Sequence, residues 1–364
     1  MSTGRLQARG HIKTMKSKGV SVILCCHNSE SRLKPTLQHL ATQHITIGIP
    51  WEINLVDNAS TDQTALFGES VWQQYGSDIN FNVVFEPKLG LMHARIRGLK
   101  SASFTYICFI DDDNWLDVNY VQKVYDIFES HPDVAACGGK IEAVFEPGLQ
   151  PPSWFHEYQQ AYAIGAQGET EGVVPDSRGY LWGAGLSFRK SALIQLFDSG
   201  FRPLLTDRRG KLLTAGGDSE LCYALRACGW KLWYSPQLRL RHFIPSFRVD
   251  WNYLLKMYKG FGAARVFHKV YLFFLNGRKR IKSFRWFYHL RKDLKRILKL
   301  GKKNILTAFL KPKPGNNIDI EVYFRFGKLI QKLKIAPWSY NKIYKNVNKT
   351  LQQAKRIKQK SCDN

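Results

Sequence analysis

Val20–Cys26 (VSVILCC) is a continuous apolar run, short enough for a strand and apolar on both faces. That is the pattern of a strand buried inside a parallel sheet. Ser29–Leu40 follows with helical spacing, and Trp51–Val56 predicts a second strand. The turn at Asp57–Asp62 (DNASTD) leads into a helix that Ser60 or Thr61 is expected to cap. Phe81–Phe85 predicts a third strand, Gly90–Leu99 a helix, Phe104–Ile110 a fourth strand and Leu116–Glu129 a helix. Val134–Val144 is again extended. Strands and helices alternating at such short intervals predict a doubly wound α/β sheet. Ligands in such sheets bind beyond the carboxyl ends of the strands. His27-Asn28, Asp57-Asn58 and Asp111-Asp112-Asp113 stand there, although strand-to-helix loops are polar in any case. Farther on come a Pro-rich link at Pro147–Ser153, a Trp182–Gly185 stretch, a helix at Ser219–Cys228 and a strand at Lys231–Leu240.

Composition changes this picture at one point. Of 364 residues, 44% are hydrophobic, enough for a large globular core and too many for intrinsic disorder. The net charge of +25 is unevenly placed. Residues 1–250 hold 25 Lys+Arg and 25 Asp+Glu, whereas 251–364 hold 29 and 4. The chain therefore divides into a polar tail (1–18), a neutral domain (19–250) and a basic, mainly helical region (251–364) that must face something anionic. No apolar run approaches the roughly 20 residues of a membrane span, and no signal-peptide pattern precedes the first strand. The seven cysteines form no C-x-x-C pair, so neither a zinc site nor a disulfide framework is expected. Cys25, Cys26 and Cys108 read as core residues of a cytosolic protein.

Three adjacent carboxylates after FTYICFI repel one another unless solvent or a cation relieves them. In extended chain Asp111 and Asp113 point to one side, the spacing that lets two carboxylates serve one Mg²⁺ or Mn²⁺. A solvated helix start would also use Asp here. Asp218 follows two glycines at a helix mouth, where it is either a general base or, with Glu220, a complement to the helix dipole. His242 is a candidate third metal ligand, and Gly183 and Gly185 mark close backbone approach.

Seven segments, in order, resemble the family 2 glycosyltransferases with the GT-A fold. They are SVILCCHNSESRL, LVDNASTDQT, KLGLMHARIRGL, FIDDDNWLD, GAGLSFRK, AGGDSELCYALRACGW and LRLRHFIPSFR, spanning about residues 20 to 250. The resemblance implies that His27, Asn28 and Glu30 cradle the nucleoside and that Asp57 contacts the base. Lys88, Arg95, Asp111 and Asp112 would complete the nucleotide-sugar site. Asp111, Asp113 and His242 would hold Mn²⁺ or Mg²⁺, and Asp218 would be the catalytic base. Trp182, Gly183, Glu220 and Arg248 would serve the acceptor side. The chain departs from the family pattern at Cys25-Cys26, at Ile96 and at Gly217, which leaves one acid, not a pair, at the base. The Gln-x-x-Arg-Trp motif of processive synthases is absent, which implies one sugar per encounter. The implied activity is inverting, non-processive sugar transfer from a nucleoside-diphosphate sugar to a saccharide or lipid-linked acceptor, in cell-surface polysaccharide or glycolipid assembly.

In the basic region, RKDLKRILKL (Arg291–Leu300) sets Leu294, Ile297 and Leu298 on one helical side among cations. That is the pattern of a helix lying on an anionic membrane, which places the protein peripherally on the cytoplasmic face. A solvated helical cap has the same composition. Nucleic acid is the weaker candidate, since no nucleic-acid module accompanies the charge. The residues alone also admit a metal-dependent nucleotidyltransferase, or a binder that retains a decayed catalytic domain.

Overall fold

The computed structural model describes residues 17–205, 215–277, 283–335 and 337–363. Most of the polar N-terminal tail and Arg278, Lys279 and Arg280 lie outside the described residues. The first half runs β1 (Ser17–Cys26), α1 (Glu30–Ala41), β2 (Trp51–Asp57), α2 (Thr64–Gln74), β3 (Asn80–Phe85), α3 (Leu91–Ser101) and β4 (Phe104–Asp111). Then follow β5 (Asn114–Leu116), α4 (Tyr120–Ser130), β6 (Val134–Phe145), the short α5 (Phe155–Tyr158), β7 (Gly172–Val173), β8 (Ser187–Arg189) and α6 (Lys190–Asp198). The remainder is α7 (Gly217–Ala227), β9 (Lys231–Ile244) and five helices: α8 (Trp251–Leu275), α9 (Ser283–Leu298), α10 (Lys302–Leu310), α11 (Asn317–Lys334) and α12 (Pro337–Asp363).

One sheet orders the strands β3-β2-β1-β4-β8-β6-β9-β5, with β7 beside β9. The β3-β2-β1-β4 part is parallel, as the buried apolar runs predict. The short β8 then pairs antiparallel with both β4 and β6, and β5 antiparallel with β9. The sheet is thus mixed, mostly parallel, and flanked by helices. Its strands alternate between two cores. In β1, Val20, Val22, Leu24 and Cys26 pack with α1, α2 and α4, while Ile23 and Cys25 face α3 and α7. Cys25, Cys26 and Cys108 are buried, and burial lifts the Cys25 and Cys108 thiols to about 12.

Three local expectations change. The helix expected over 116–129 begins at Tyr120, and Leu116 belongs instead to β5, whose Asn114 pairs with His242. The strand after α7 runs on to Ile244, so His242 lies within β9. Neither Ser60 nor Thr61 caps α2. The Ser60 hydroxyl instead accepts from the Asn28 amide at 3.0 Å, and Asp62 Oδ1 accepts from Thr64 N at 3.1 Å.

The basic region is not an appendage. Helix α8 packs on α7 and on α11, crossing α11 where Gly262 and Gly327 let the backbones touch. A Cβ on Gly262 would lie 2.0 Å from the Phe324 carbonyl oxygen, and one on Gly327 would lie 1.9 Å from that of Lys259. Only glycine permits this approach. In α9, Ile297 turns inward while Leu294 and Leu298 stay exposed, so the three apolar residues do not share one free face. The buried Asp293, one turn before Ile297, explains the division. It receives Lys328 at 2.5 Å and also Lys332, both from α11. Among the described residues no helix is long and apolar enough to cross a membrane.

Candidate active site

A cavity of about 690 Å³ opens at the carboxyl ends of β1 and β4, where a doubly wound sheet places its ligand. The acidic triplet enters it. Asp112 turns toward α1, where it accepts from the Ser29 hydroxyl and from Arg32 at 2.5 Å. Its backbone carbonyl accepts from Thr36 at 2.7 Å. Burial, reinforced by Asp113, holds the Asp112 carboxyl above the ordinary carboxylate range, while Arg32 opposes the shift.

Asp113 faces the other way, toward β9 and the turn after it. Its Oδ2 accepts from Arg248 at 2.8 Å and lies 3.5 Å from His242 Nε2. The His242 Nδ1–H donates to the Tyr162 carbonyl at 3.0 Å. That bond keeps a proton on Nδ1 and turns Nε2 toward Asp113. Arg248 is nearly enclosed. Burial would lower its affinity for the proton, but the Asp113 carboxylate outweighs that and raises it. Residues 113, 242 and 248, far apart in sequence, are therefore gathered at one point.

Asp111, Asp113 and His242 were expected to form a three-residue metal site. Among the described residues no three His, Cys, Asp or Glu side chains are assembled as a cage. The third place beside Asp113 is taken by the Arg248 guanidinium. The Asp113–His242 pair still suits a hard cation that completes its shell with substrate phosphates.

Asp218 lines the same cavity from the mouth of α7, and its Oδ1 accepts from Ser219 N at 2.7 Å. Gly183 lies against it. A Cβ there would meet Arg95 Nη2 at 2.9 Å and Asp218 Oδ2 at 3.1 Å. The glycine expected from sequence to allow close approach thus opens the space between a cation and the carboxylate. Trp182 is on the wall, but Arg178 covers one face of its ring at 4.8 Å. Glu220, by contrast, is fully buried outside the cavity. It accepts from Leu204 N, Leu205 N and the Tyr271 hydroxyl, which ties α7 to the 204–205 loop and to α8.

Of the expected nucleoside cradle, His27 lines the cavity, with its Nδ1–H donating to the Asn58 carbonyl at 2.8 Å. Asn28 has φ 49° and accepts from Thr61 N at 2.8 Å. Glu30 accepts from Gln63 N at 3.1 Å, and Asp57 accepts from Ser60 N at 3.1 Å. Asn28 and Glu30 thus tie the loop after β1 to the loop after β2, and Asp57 braces the second loop from within. Lys88 is exposed and contributes its backbone, accepting from Asn58 Nδ2 at 2.8 Å.

Several lining residues escaped the sequence reading. Arg32 sits in the first turn of α1. Asn58, which the sequence places beside Asp57 beyond the second strand, binds three backbone groups at 2.7 to 3.2 Å to join β2, the loop after β3 and the start of α3. Tyr258, Phe261, Arg265 and His268 come from α8, across the boundary expected at residue 250. Their spacing of three, four and three is a helical face, and that periodicity was the available signal. His268 donates from Nε2 to the Gly216 carbonyl at 3.0 Å, directly behind the Asp218 loop. Burial holds its imidazole below the usual range, against a smaller opposing pull that includes Asp218.

The glycosyl transferase family 2 model matches residues 21–197. A glucosyl-dolichyl phosphate glucuronosyltransferase of Haloferax volcanii is 21% identical over 241 residues, covering 65% of this chain and 72% of that protein. Glycosyltransferase GlyA of Streptococcus pneumoniae is 31% identical over 117 residues, 32% of this chain and 16% of that protein. The minor teichoic acid biosynthesis protein GgaA of Bacillus subtilis is 27% identical over 153 residues, 38% of this chain and 34% of that protein. The chain thus spans well under half of the latter two relatives. A crystal structure of S. aureus TarS 1-349 with UDP-GlcNAc superposes with a TM-score of 0.47 at 14% identity, covering 93% of this chain and 92% of that one.

Proposed function

From a chain that belongs to glycosyltransferase family 2 through its N-terminal domain, we propose a non-processive, inverting enzyme that moves a hexose-type sugar from a nucleoside diphosphate to an acceptor hydroxyl. The convergence of Asp113, His242 and Arg248 on one side of a cavity, with Asp218 and Arg95 across Gly183 on the other, carries this reading. The first group suits a diphosphate, the second an attacking hydroxyl. Names of two relatives, a dolichyl phosphate enzyme and a teichoic acid protein, favour cell-surface polysaccharide or glycolipid assembly.

Asp218 takes the acceptor proton as the hydroxyl attacks the anomeric carbon, and the nucleoside diphosphate leaves from the opposite face. A single displacement needs one base and no enzyme nucleophile. Mn²⁺ or Mg²⁺, held by Asp113 and His242 with Asp111 nearby, would supply positive charge to the leaving diphosphate. Arg248 neutralises Asp113 and, once released, stands ready to meet a phosphate oxygen. His27 and Asn58 shape the nucleoside end, and Trp182 offers the acceptor its remaining open surface.

We also propose that α9 and α10 rest on an anionic membrane. Leu294, Leu298, Leu306 and Leu310 are exposed there among Lys292, Lys295, Lys299, Lys302 and Lys303.

The test is incubation with a panel of nucleoside-diphosphate sugars and Mn²⁺, scoring hydrolysis and transfer. One donor should be consumed by the wild type, and Asp218→Asn should lower turnover by about 10³-fold, within the range for a lost general base. Turnover of Asp218→Asn near the wild-type level would remove the base from the scheme.

A further inference from the structure

Helix α8 lies beyond the residues that the family model matches, and it grips α7 on either side of Asp218. Ala264, His268 and Tyr271 follow one another at helical spacings of four and three, so they form one stripe. Their contacts converge on the first turn of α7. The His268 Nε2–H donates to the Gly216 carbonyl at 3.0 Å, and the Tyr271 hydroxyl donates to the Glu220 carboxylate. Asp218 lies midway between the two held residues.

The carbonyl that His268 holds is the one that builds this turn. It also accepts from Glu220 N at 2.8 Å, the bond that closes the backbone around Asp218. Gly216 has φ 108°, and a Cβ on it would meet the His268 ring at 2.9 Å and Ala264 Cβ at 3.1 Å. The imidazole therefore rests against the backbone itself. Asp218 Oδ1 is tied to Ser219 N within the same turn, so the carboxylate goes wherever the turn goes. Gly216, Asp218 and His268 all line the cavity. Misplacing a reacting group by about 1 Å costs on the order of 100-fold in rate.

Resting on the glycosyltransferase reading, with Asp218 as the base, we infer that His268 is a positioning residue. It holds the first turn of α7 so that Asp218 faces the attacking hydroxyl, and Tyr271 is its second support. His268 exchanges no proton with a substrate; its Nε2–H stays on the Gly216 carbonyl. Through this contact the basic region takes part in the reaction that the neutral domain performs.

Donor hydrolysis by the full chain, with water as the acceptor, gives kcat and the KM of the sugar nucleotide that the wild type consumes with Mn²⁺. His268→Leu, which has no donor for the Gly216 carbonyl, should lower kcat about tenfold or more. Its donor KM should stay within about twofold, because Asp113, His242 and Arg248 hold the diphosphate from another side. His268→Gln, whose side-chain amide reaches the same carbonyl, should bring kcat back to within about threefold of wild type. Tyr271→Phe should lower kcat about threefold, and it carries the test if His268→Leu does not fold. Tyr340→Phe removes a different hydrogen bond from α8, the one to the Val266 carbonyl at 3.4 Å outside the cavity lining, and should leave kcat unchanged. Four results would overturn the inference: unchanged kcat in the folded His268→Leu, or failing that in Tyr271→Phe; equal losses in His268→Leu and His268→Gln; a donor KM that rises as kcat falls; or an equal loss in Tyr340→Phe. A wild type that consumes no donor, or an Asp218→Asn variant as active as wild type, would instead remove the glycosyltransferase reading, and the inference with it.

Discussion

Arg248 is the side chain whose position says most about how the site is held ready. It pairs with Asp113 at 2.8 Å where both are enclosed, their side chains 12% and 4% exposed. Removing one partner of such a pair leaves a charge without compensation, at a cost of about 3–5 kcal/mol. Arg248→Gln should therefore lower the melting temperature, and Mn²⁺ should restore part of the loss by taking the place beside Asp113. A melting curve with and without Mn²⁺ checks this. An Arg248→Gln deficit that ignores the ion would separate Asp113 from metal binding. Single residues were legible in the sequence when their chemistry was unusual. A triple aspartate, and an aspartate after two glycines, stood out. Arg32 and Arg265 did not, because an arginine has nothing distinctive until the fold supplies its carboxylate or cavity.

Helices α8 and α11 decide whether the cavity has a far wall. Their crossing depends on Gly262 and Gly327, where a methyl group would meet backbone at 2.0 and 1.9 Å. Backbone cannot rotate aside as a side chain can. Gly327→Ala should cost about 1–3 kcal/mol through overpacking and should impair turnover by displacing Phe324 and Arg265. Denaturant melts with parallel turnover measurements check both effects, and an Ala variant as stable and active as wild type would contradict the crossing. Helix α9 adds a pH dependence. Burial, then the cations Lys269 of α8 and Lys332 and Lys328 of α11, hold His289 down to about 4, while Asp293 opposes them. The unfolded chain binds that proton from its ordinary 6.5 downward, and the folded chain does not until about 4. Stability should therefore fall as pH drops through this window, and His289→Gln should flatten that part of the profile. The parallel strands were read well because continuous apolar runs bounded by polar turns have few other solutions. The antiparallel β5 and β8 were not, since three-residue strands owe their existence to neighbours distant in sequence.

The whole molecule divides by charge but not by packing. Its +25 net charge resides in residues 251–364, yet α8 closes the cavity that the neutral part opens. Composition showed that two parts have different surfaces, and it could not show that they share one site. The exposed leucines of α9 and α10, set among lysines, should bind anionic vesicles in a salt-dependent manner. Co-sedimentation should fall when Leu298, Leu306 and Leu310 are changed to Asp, with the melting temperature unchanged. Undiminished co-sedimentation would reject that face as the contact.

We propose that Asp113 and His242 bind a nucleoside diphosphate through a shared divalent ion. Calorimetric titration of UDP, GDP and the other nucleoside diphosphates, with and without Mn²⁺, checks this. For one of them the wild type should bind at least tenfold more tightly with Mn²⁺, and Asp113→Ala should lose that gain. No binding by any nucleoside diphosphate, or binding indifferent to both Mn²⁺ and Asp113, would contradict the account.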